Sequence, residues 1–259
     1  METEYRLDGP VNAPVLVLSN SLGTLWTLWD AQFSSFIKHF RVLRYHTRGH
    51  GSSALPADPL SIDRLGQDVI DLLDHLRIER ACFCGISLGG LTGLWLNLHH
   101  PDRFNRFVLA NTAARIGSQA AWQTRAEQVR REGLGAVVAA TDKRWFTEDY
   151  IQRRPGIVEN LLESLAEISP AGYAACCEAL ALADLRSGLV EMPRPMLMIA
   201  GREDPVTPVA DAQRVVDAAP QARLCVLTAS HLSNIACASA FTRQTLKFLL
   251  KGEGYGIND

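Results

Sequence analysis

Two hydrophobic rhythms alternate along the chain. Short, nearly unbroken apolar runs occupy residues 15–19, 41–44, 81–84, 106–110, 196–200 and 224–227. Runs of this length and apolar density predict strands covered on both faces. Between them, residues 62–76, 91–100, 210–219 and 241–250 repeat apolar positions every three or four residues, the spacing of a helix with one buried face. Pro101 closes the second of these helices, and Pro208 stands where the first turn of the third begins. The alternation predicts an α/β fold, with a mostly parallel central sheet and helices on both faces.

From about residue 112 to 189 the alternation fails. Helical patterns follow one another, punctuated at Gly133, Pro155-Gly156 and Pro170-Ala171-Gly172, and no strand pattern intervenes. The expected organisation is a core made of residues 1–111 and 190–259, with residues 112–189 inserted between the two sheet halves as a helical lid. No internal repeat or low-complexity tract is present.

Composition narrows the function. A chain of 259 residues, 47% hydrophobic, buries roughly 70–75% of its extended surface and needs no disulfide or metal to fold. Its 26 basic and 28 acidic residues argue against a nucleic-acid partner, which calls for a basic excess. No apolar run reaches the roughly 20 residues of a membrane span, so no membrane partner is expected. The N-terminal Met-Glu-Thr-Glu-Tyr-Arg lacks a signal-peptide core, which makes the cytoplasm the expected location and the six cysteines free thiols. Cys82 and Cys84 have no second Cys or Cys/His cluster to complete four ligands, so no metal and no cofactor is expected. The pattern is silent on oligomeric state.

Candidate chemistry centres on Cys84-Gly85-Ile86-Ser87-Leu88-Gly89-Gly90, between an apolar strand and an apolar helix. This is the setting of a Gly-x-Ser-x-Gly nucleophile elbow. Its glycines make room where strand and helix nearly touch, and the sharp turn lifts the serine hydroxyl clear. A serine needs a base and the base an acid, in the chain order Ser, acid, His. His39, His46, His50 and His75 precede Ser87, and His99 and His100 end the helix that it starts. His231, just after the 224–227 strand, remains as the base. Asp204, directly after the 196–200 strand, is the expected acid, with Glu203 as the neighbouring alternative. Backbone N–H groups of Leu88 and of Leu22, in the Asn20-Ser21-Leu22-Gly23-Thr24 turn, are the expected oxyanion donors.

With these residues in view, the chain resembles the 3-oxoadipate enol-lactonase family of the α/β-hydrolases nearly end to end. The resemblance is carried by Leu-Ser-Asn-Ser-Leu-Gly-Thr at 18–24, Arg-Gly-His-Gly at 48–51 and Phe-Cys-Gly-Ile-Ser-Leu-Gly-Gly at 83–90. It continues through Asn-Thr-Ala-Ala at 111–114, Arg-Trp-Phe-Thr at 144–147, Gly-Tyr-Ala-Ala-Cys-Cys at 172–177 and His-Leu-Ser-Asn-Ile at 231–235. It implies opening of a small anionic enol-lactone by water to 3-oxoadipate, in the beta-ketoadipate route of bacterial aromatic catabolism. A substrate with a free carboxylate in an apolar pocket calls for a guanidinium. Arg125, one helical turn after Trp122, and Trp145 are the favoured pocket residues, with Arg144 beside Trp145. The chain departs from the family at His46, where Asp is usual, and at Ala236, where an acidic residue is usual. A carboxylesterase or a carbon–carbon bond hydrolase is the alternative within the superfamily, and a ligand receptor on the same scaffold the alternative outside enzymes.

Overall fold

A computed structural model describes residues 3–55 and 57–251; residues 1, 2, 56 and 252–259, which fall within the expected core segments, lie outside the described residues. One seven-stranded sheet takes the order β1-β3-β2-β4-β5-β6-β7. Its strands are β1 (Tyr5–Asp8), β2 (Val15–Ser19), β3 (Arg41–Tyr45), β4 (Ala81–Ile86), β5 (Phe104–Ala110), β6 (Met196–Gly201) and β7 (Ala222–Leu227). From β3 to β7 every pairing is parallel, while β1 runs antiparallel along β3. Every residue of β2, β4 and β6 is buried, which is why their sequences read as continuous apolar runs.

The core helices are α1 (Asp30–Phe36), α2 (Ile62–His75) and α3 (Leu88–His99), then α9 (Val209–Ala218), α10 (Ser233–Ala236) and α11 (Ala238–Leu249) after the inserted helices. α3 packs on β4 and β5 with α2 against it, α11 on β5 with α1 against it, and α9 along β6 and β7. α3 starts at Leu88, three residues earlier than the apolar pattern predicts. Gly89 and Gly90, poor helix formers in isolation, are used here because the helix passes hard against the chain: a Cβ on Gly89 would lie 2.3 Å from the Ser19 carbonyl oxygen.

Between β5 and β6 run α4 (Gln119–Glu132), α5 (Gly135–Trp145), α6 (Glu148–Arg153), α7 (Pro155–Ala166) and α8 (Pro170–Leu182). α4 packs on α8 and α5 on α7. Trp122, Val129, Trp145 and Tyr173 from these helices join the same hydrophobic core as the sheet.

Register aligns the strand ends. Ser19 pairs with Gly85, Ile86 with Ala110, Ala110 with Ile199 and Gly201 with Leu227. The loops after β2, β4, β5, β6 and β7 therefore leave along one rim, the carboxyl edge at which open α/β sheets bind ligands.

Candidate active site

Ser87 connects β4 to α3 at φ 57 and ψ -117, a left-handed conformation strained for a side-chain residue. Its N–H donates to the Ala110 carbonyl at 2.9 Å, and its own carbonyl accepts from Thr112 Oγ1 at 2.8 Å and from the Leu91 N–H at 2.9 Å. These bonds hold the turn from both neighbouring elements. A Cβ on Gly85 would sit 2.3 Å from the Gly89 carbonyl oxygen, the steric origin of the paired glycines.

His231 and Asp204 reach Ser87 from the loops after β7 and β6. Ser87 Oγ lies 2.9 Å from His231 Nε2, and His231 Nδ1 lies 2.8 Å from Asp204 Oδ2. All three side chains are buried. Burial alone would favour the neutral acid at Asp204. The His231 imidazole and hydrogen bonds from His231, Asn111 and Thr207 outweigh that effect and lower its pKa below the ordinary 3.8. An ionised Asp204 accepts from Nδ1–H and leaves Nε2 unprotonated to take the serine proton. Glu203, the neighbouring carboxylate, is exposed.

The turn after β2 flanks the serine. Leu22 lines the cavity that holds Ser87 and His231. The adjacent amides are engaged: Gly23 N–H donates to His50 Nε2 at 3.0 Å and Gly89 N–H to the Asn20 carbonyl at 3.0 Å. The N–H groups of Leu22 and Leu88 donate to no backbone acceptor among the described residues.

The cavity over Ser87 encloses about 30 Å³ and is walled by Trp122, Arg125, Thr141, Arg144, Trp145, Tyr173 and Val206. All four residues expected at the pocket (Arg125, Trp145, Trp122 and Arg144) therefore converge there. It shares Trp122, Arg125, Arg144 and Val206 with a second cavity of about 210 Å³ that reaches Ile116 and Pro205. The Arg125 guanidinium lies 5.3 Å from the Trp122 ring centroid and shares the cavity wall with Tyr173, whose hydroxyl burial pushes up to about 12. Burial and then the charge of Arg125 lower the pKa of Arg144. Neither arginine forms an ion pair with a carboxylate among the described residues. The result is a small, positively charged, aromatic-walled chamber above the serine.

Several contributors are absent from the sequence reading. Tyr173 belongs to a segment used only as a family signature, and Thr141 and Val206 carry no motif. Asn111, at φ 45, donates through Nδ2 to Asp204 Oδ2 at 3.0 Å and to the Ser230 carbonyl at 3.1 Å. The sequence reading used Asn111 only within the family signature at 111–114; its strained conformation, tolerated best by Asn, is a property of the fold.

Comparison with known proteins gives a consistent picture. Residues 14–235 match the family described as alpha/beta hydrolase fold. The chain is 50% identical to 3-oxoadipate enol-lactonase 2 of Acinetobacter baylyi, across 92% of this chain and 89% of the relative. It is 43% identical to 3-oxoadipate enol-lactonase 1 of the same organism, across 89% and 86%. Among solved structures, the enol-lactonase from Burkholderia xenovorans superposes with a TM-score of 0.94 at 46% identity, over 95% of this chain and 96% of that one.

Proposed function

The chain belongs to the α/β-hydrolase family, and from that premise we propose that it hydrolyses 3-oxoadipate enol-lactone to 3-oxoadipate. The observation that carries this reading is Ser87 Oγ, 2.9 Å from an imidazole nitrogen, at the floor of a chamber walled by two guanidiniums without carboxylate partners. The extended likeness to enol-lactonases supports the choice of substrate.

In this mechanism the substrate carboxylate docks on Arg125 and Arg144 while Trp122 and Trp145 flank the ring. Ser87 Oγ attacks the lactone carbonyl carbon as His231 Nε2 takes its proton. The resulting oxyanion is held by the Leu22 and Leu88 N–H groups. Collapse breaks the ring C–O bond, and the departing enolate takes the proton held on His231 Nε2 to become the ketone, leaving His231 neutral. Water, deprotonated by His231, then attacks the acyl-enzyme, and the bond to Ser87 Oγ breaks to free the new carboxylate and return the proton to the serine. An enolate is a stabilised leaving group, so nucleophile activation and oxyanion stabilisation dominate. The helices of residues 112–189 act as the lid that carries the substrate-binding side chains. The reading includes no cofactor, metal, nucleic-acid or membrane partner. It also includes a cytoplasmic location, supported by six free thiols.

Steady-state assays on purified protein test it. The enol-lactone should exceed a neutral aryl ester such as phenyl acetate in kcat/KM by about 100-fold, the scale of one or two charge-assisted hydrogen bonds. Ser87→Ala should show no turnover on either. Comparable efficiency on both substrates would make the protein a general carboxylesterase.

A further inference from the structure

His50 lies outside the relay of serine, imidazole and carboxylate, yet it touches the turn that presents Leu22. We propose that His50 is the positioning residue of the oxyanion turn: its Nε2 accepts the Gly23 N–H and so holds the Leu22–Gly23 peptide, anchoring the turn whose preceding amide, the Leu22 N–H, faces the developing oxyanion. The inference rests on the reading of Leu22 as an oxyanion donor.

The turn itself has two options. Thr24 N–H donates to the Ser21 carbonyl at 3.2 Å, closing a four-residue turn with Leu22 and Gly23 at its centre. Gly23 has φ +75, the type II arrangement, which differs from type I mainly by a flip of the peptide between the two central residues. That peptide carries the Gly23 N–H. A fixed acceptor beside it selects one flip state, and His50 Nε2 at 3.0 Å is that acceptor. Flipping would leave a buried donor and a buried acceptor without partners, which penalises the alternative turn.

His50 suits the role because nothing about it is free to move. Since Nε2 accepts, Nδ1 must carry the proton, and it donates to the Arg48 carbonyl at 3.1 Å. The loop holding it is braced by Ser53 N–H to the His50 carbonyl and by His50 N–H to the Thr47 carbonyl. The Arg48 guanidinium clamps Asp68. The ring is completely buried, and burial above all pushes its pKa down to about 4, so it stays a neutral acceptor at working pH. A donor pre-aimed in this way spends no reorganisation energy as charge develops.

The test compares His50→Leu with His50→Gln, whose side-chain carbonyl can still accept from Gly23, on both the enol-lactone and phenyl acetate. His50→Leu should lower kcat about 10- to 100-fold on both substrates with KM within about twofold, and should weaken binding of a trifluoromethyl ketone, which forms a tetrahedral adduct, in step with kcat. His50→Gln should recover most of both. Should His50→Leu fail to fold, His50→Ser, too short to reach Gly23, replaces it in the same comparison. Wild-type kcat without the acceptor, a loss confined to KM, or His50→Gln as impaired as His50→Leu would each overturn the proposal. If the substrate assignment is wrong, the wild type will favour the neutral ester, and the His50 comparison on that ester still decides.

Discussion

Five donors converge on the carboxylate of Asp204: the N–H groups of Val206 and Thr207, Thr207 Oγ1, Asn111 Nδ2 and His231 Nδ1. An amide there must turn two N–H groups toward these donors or offer the wrong partner to Nδ1. Asp204→Asn should therefore cost about 10⁴-fold in kcat by favouring the wrong His231 tautomer, measured beside an unfolding curve that shows the protein still folded. If Glu203→Gln were the more damaging change, the acid role would belong to Glu203. Arg125 offers a second test. Arg125→Ala should raise KM for the carboxylate-bearing lactone about 10- to 100-fold and leave neutral esters nearly unchanged; equal effects on both would remove its role in binding the anion. At this scale legibility follows locality. Ser87 is readable because the elbow constrains five consecutive positions, and His231 because chain order eliminates its rivals. Asn111, Val206 and Tyr173 are set by contacts spanning 93 or more positions or by shared cavity walls, which no local pattern records.

Elements with two buried faces or a long amphipathic stripe are legible as patterns, and those without them are not. β1 escapes the apolar rhythm because it is an edge strand, half-exposed, with Arg6 and Asp8 among its four residues, and only β3 for a neighbour. α1 and α10, with seven and four residues, are too short to show a helical period. The inserted helices are recognisable as helices, but how they seat on the core is not. Two contacts decide that seating. The Arg144 and Trp145 carbonyls at the end of α5 accept from Ser230 Oγ and the Leu232 N–H, tying the pocket residues to the His231 loop. At α8, a Cβ on Gly172 would fall 2.1 Å from the Gly49 carbonyl oxygen. With backbone on backbone there is no side chain to yield, so Gly172→Ala should destabilise the protein by about 1–3 kcal/mol, read as a lowered Tm. An unchanged Tm would mean that α8 does not rest on the 46–53 loop in solution.

For the whole molecule, that loop links the sheet, the oxyanion turn and α8, and it concentrates the acid sensitivity of the fold. His46 stacks on Trp26 with ring centroids 3.9 Å apart and bonds Glu4 Oε2 at 2.8 Å, which ties the residue before β1 to the loop. Burial lowers the pKa of His46 as well as that of His50, so both fold as neutral rings. An unfolded chain protonates these rings near 6.5, whereas folded His50 resists until about 4. Between those values the unfolded state binds more protons, so stability rises with pH across the window and is lost as pH falls through it. For His50 alone the loss amounts to about 3 kcal/mol between pH 6.5 and pH 4. Asp204 and Glu4, whose pKa values lie below the ordinary carboxylate range in the folded protein, add a further loss at lower pH as they protonate. Denaturant unfolding across pH 4–8 should show a plateau above about pH 6.5 and a decline below it, and His50→Gln should flatten the upper part of that decline because it removes the group that titrates there. A wild-type curve that stays level down to pH 4.5, or a variant that declines just as steeply, would show that the ring is solvated in solution and that the loop opens without unfolding the rest.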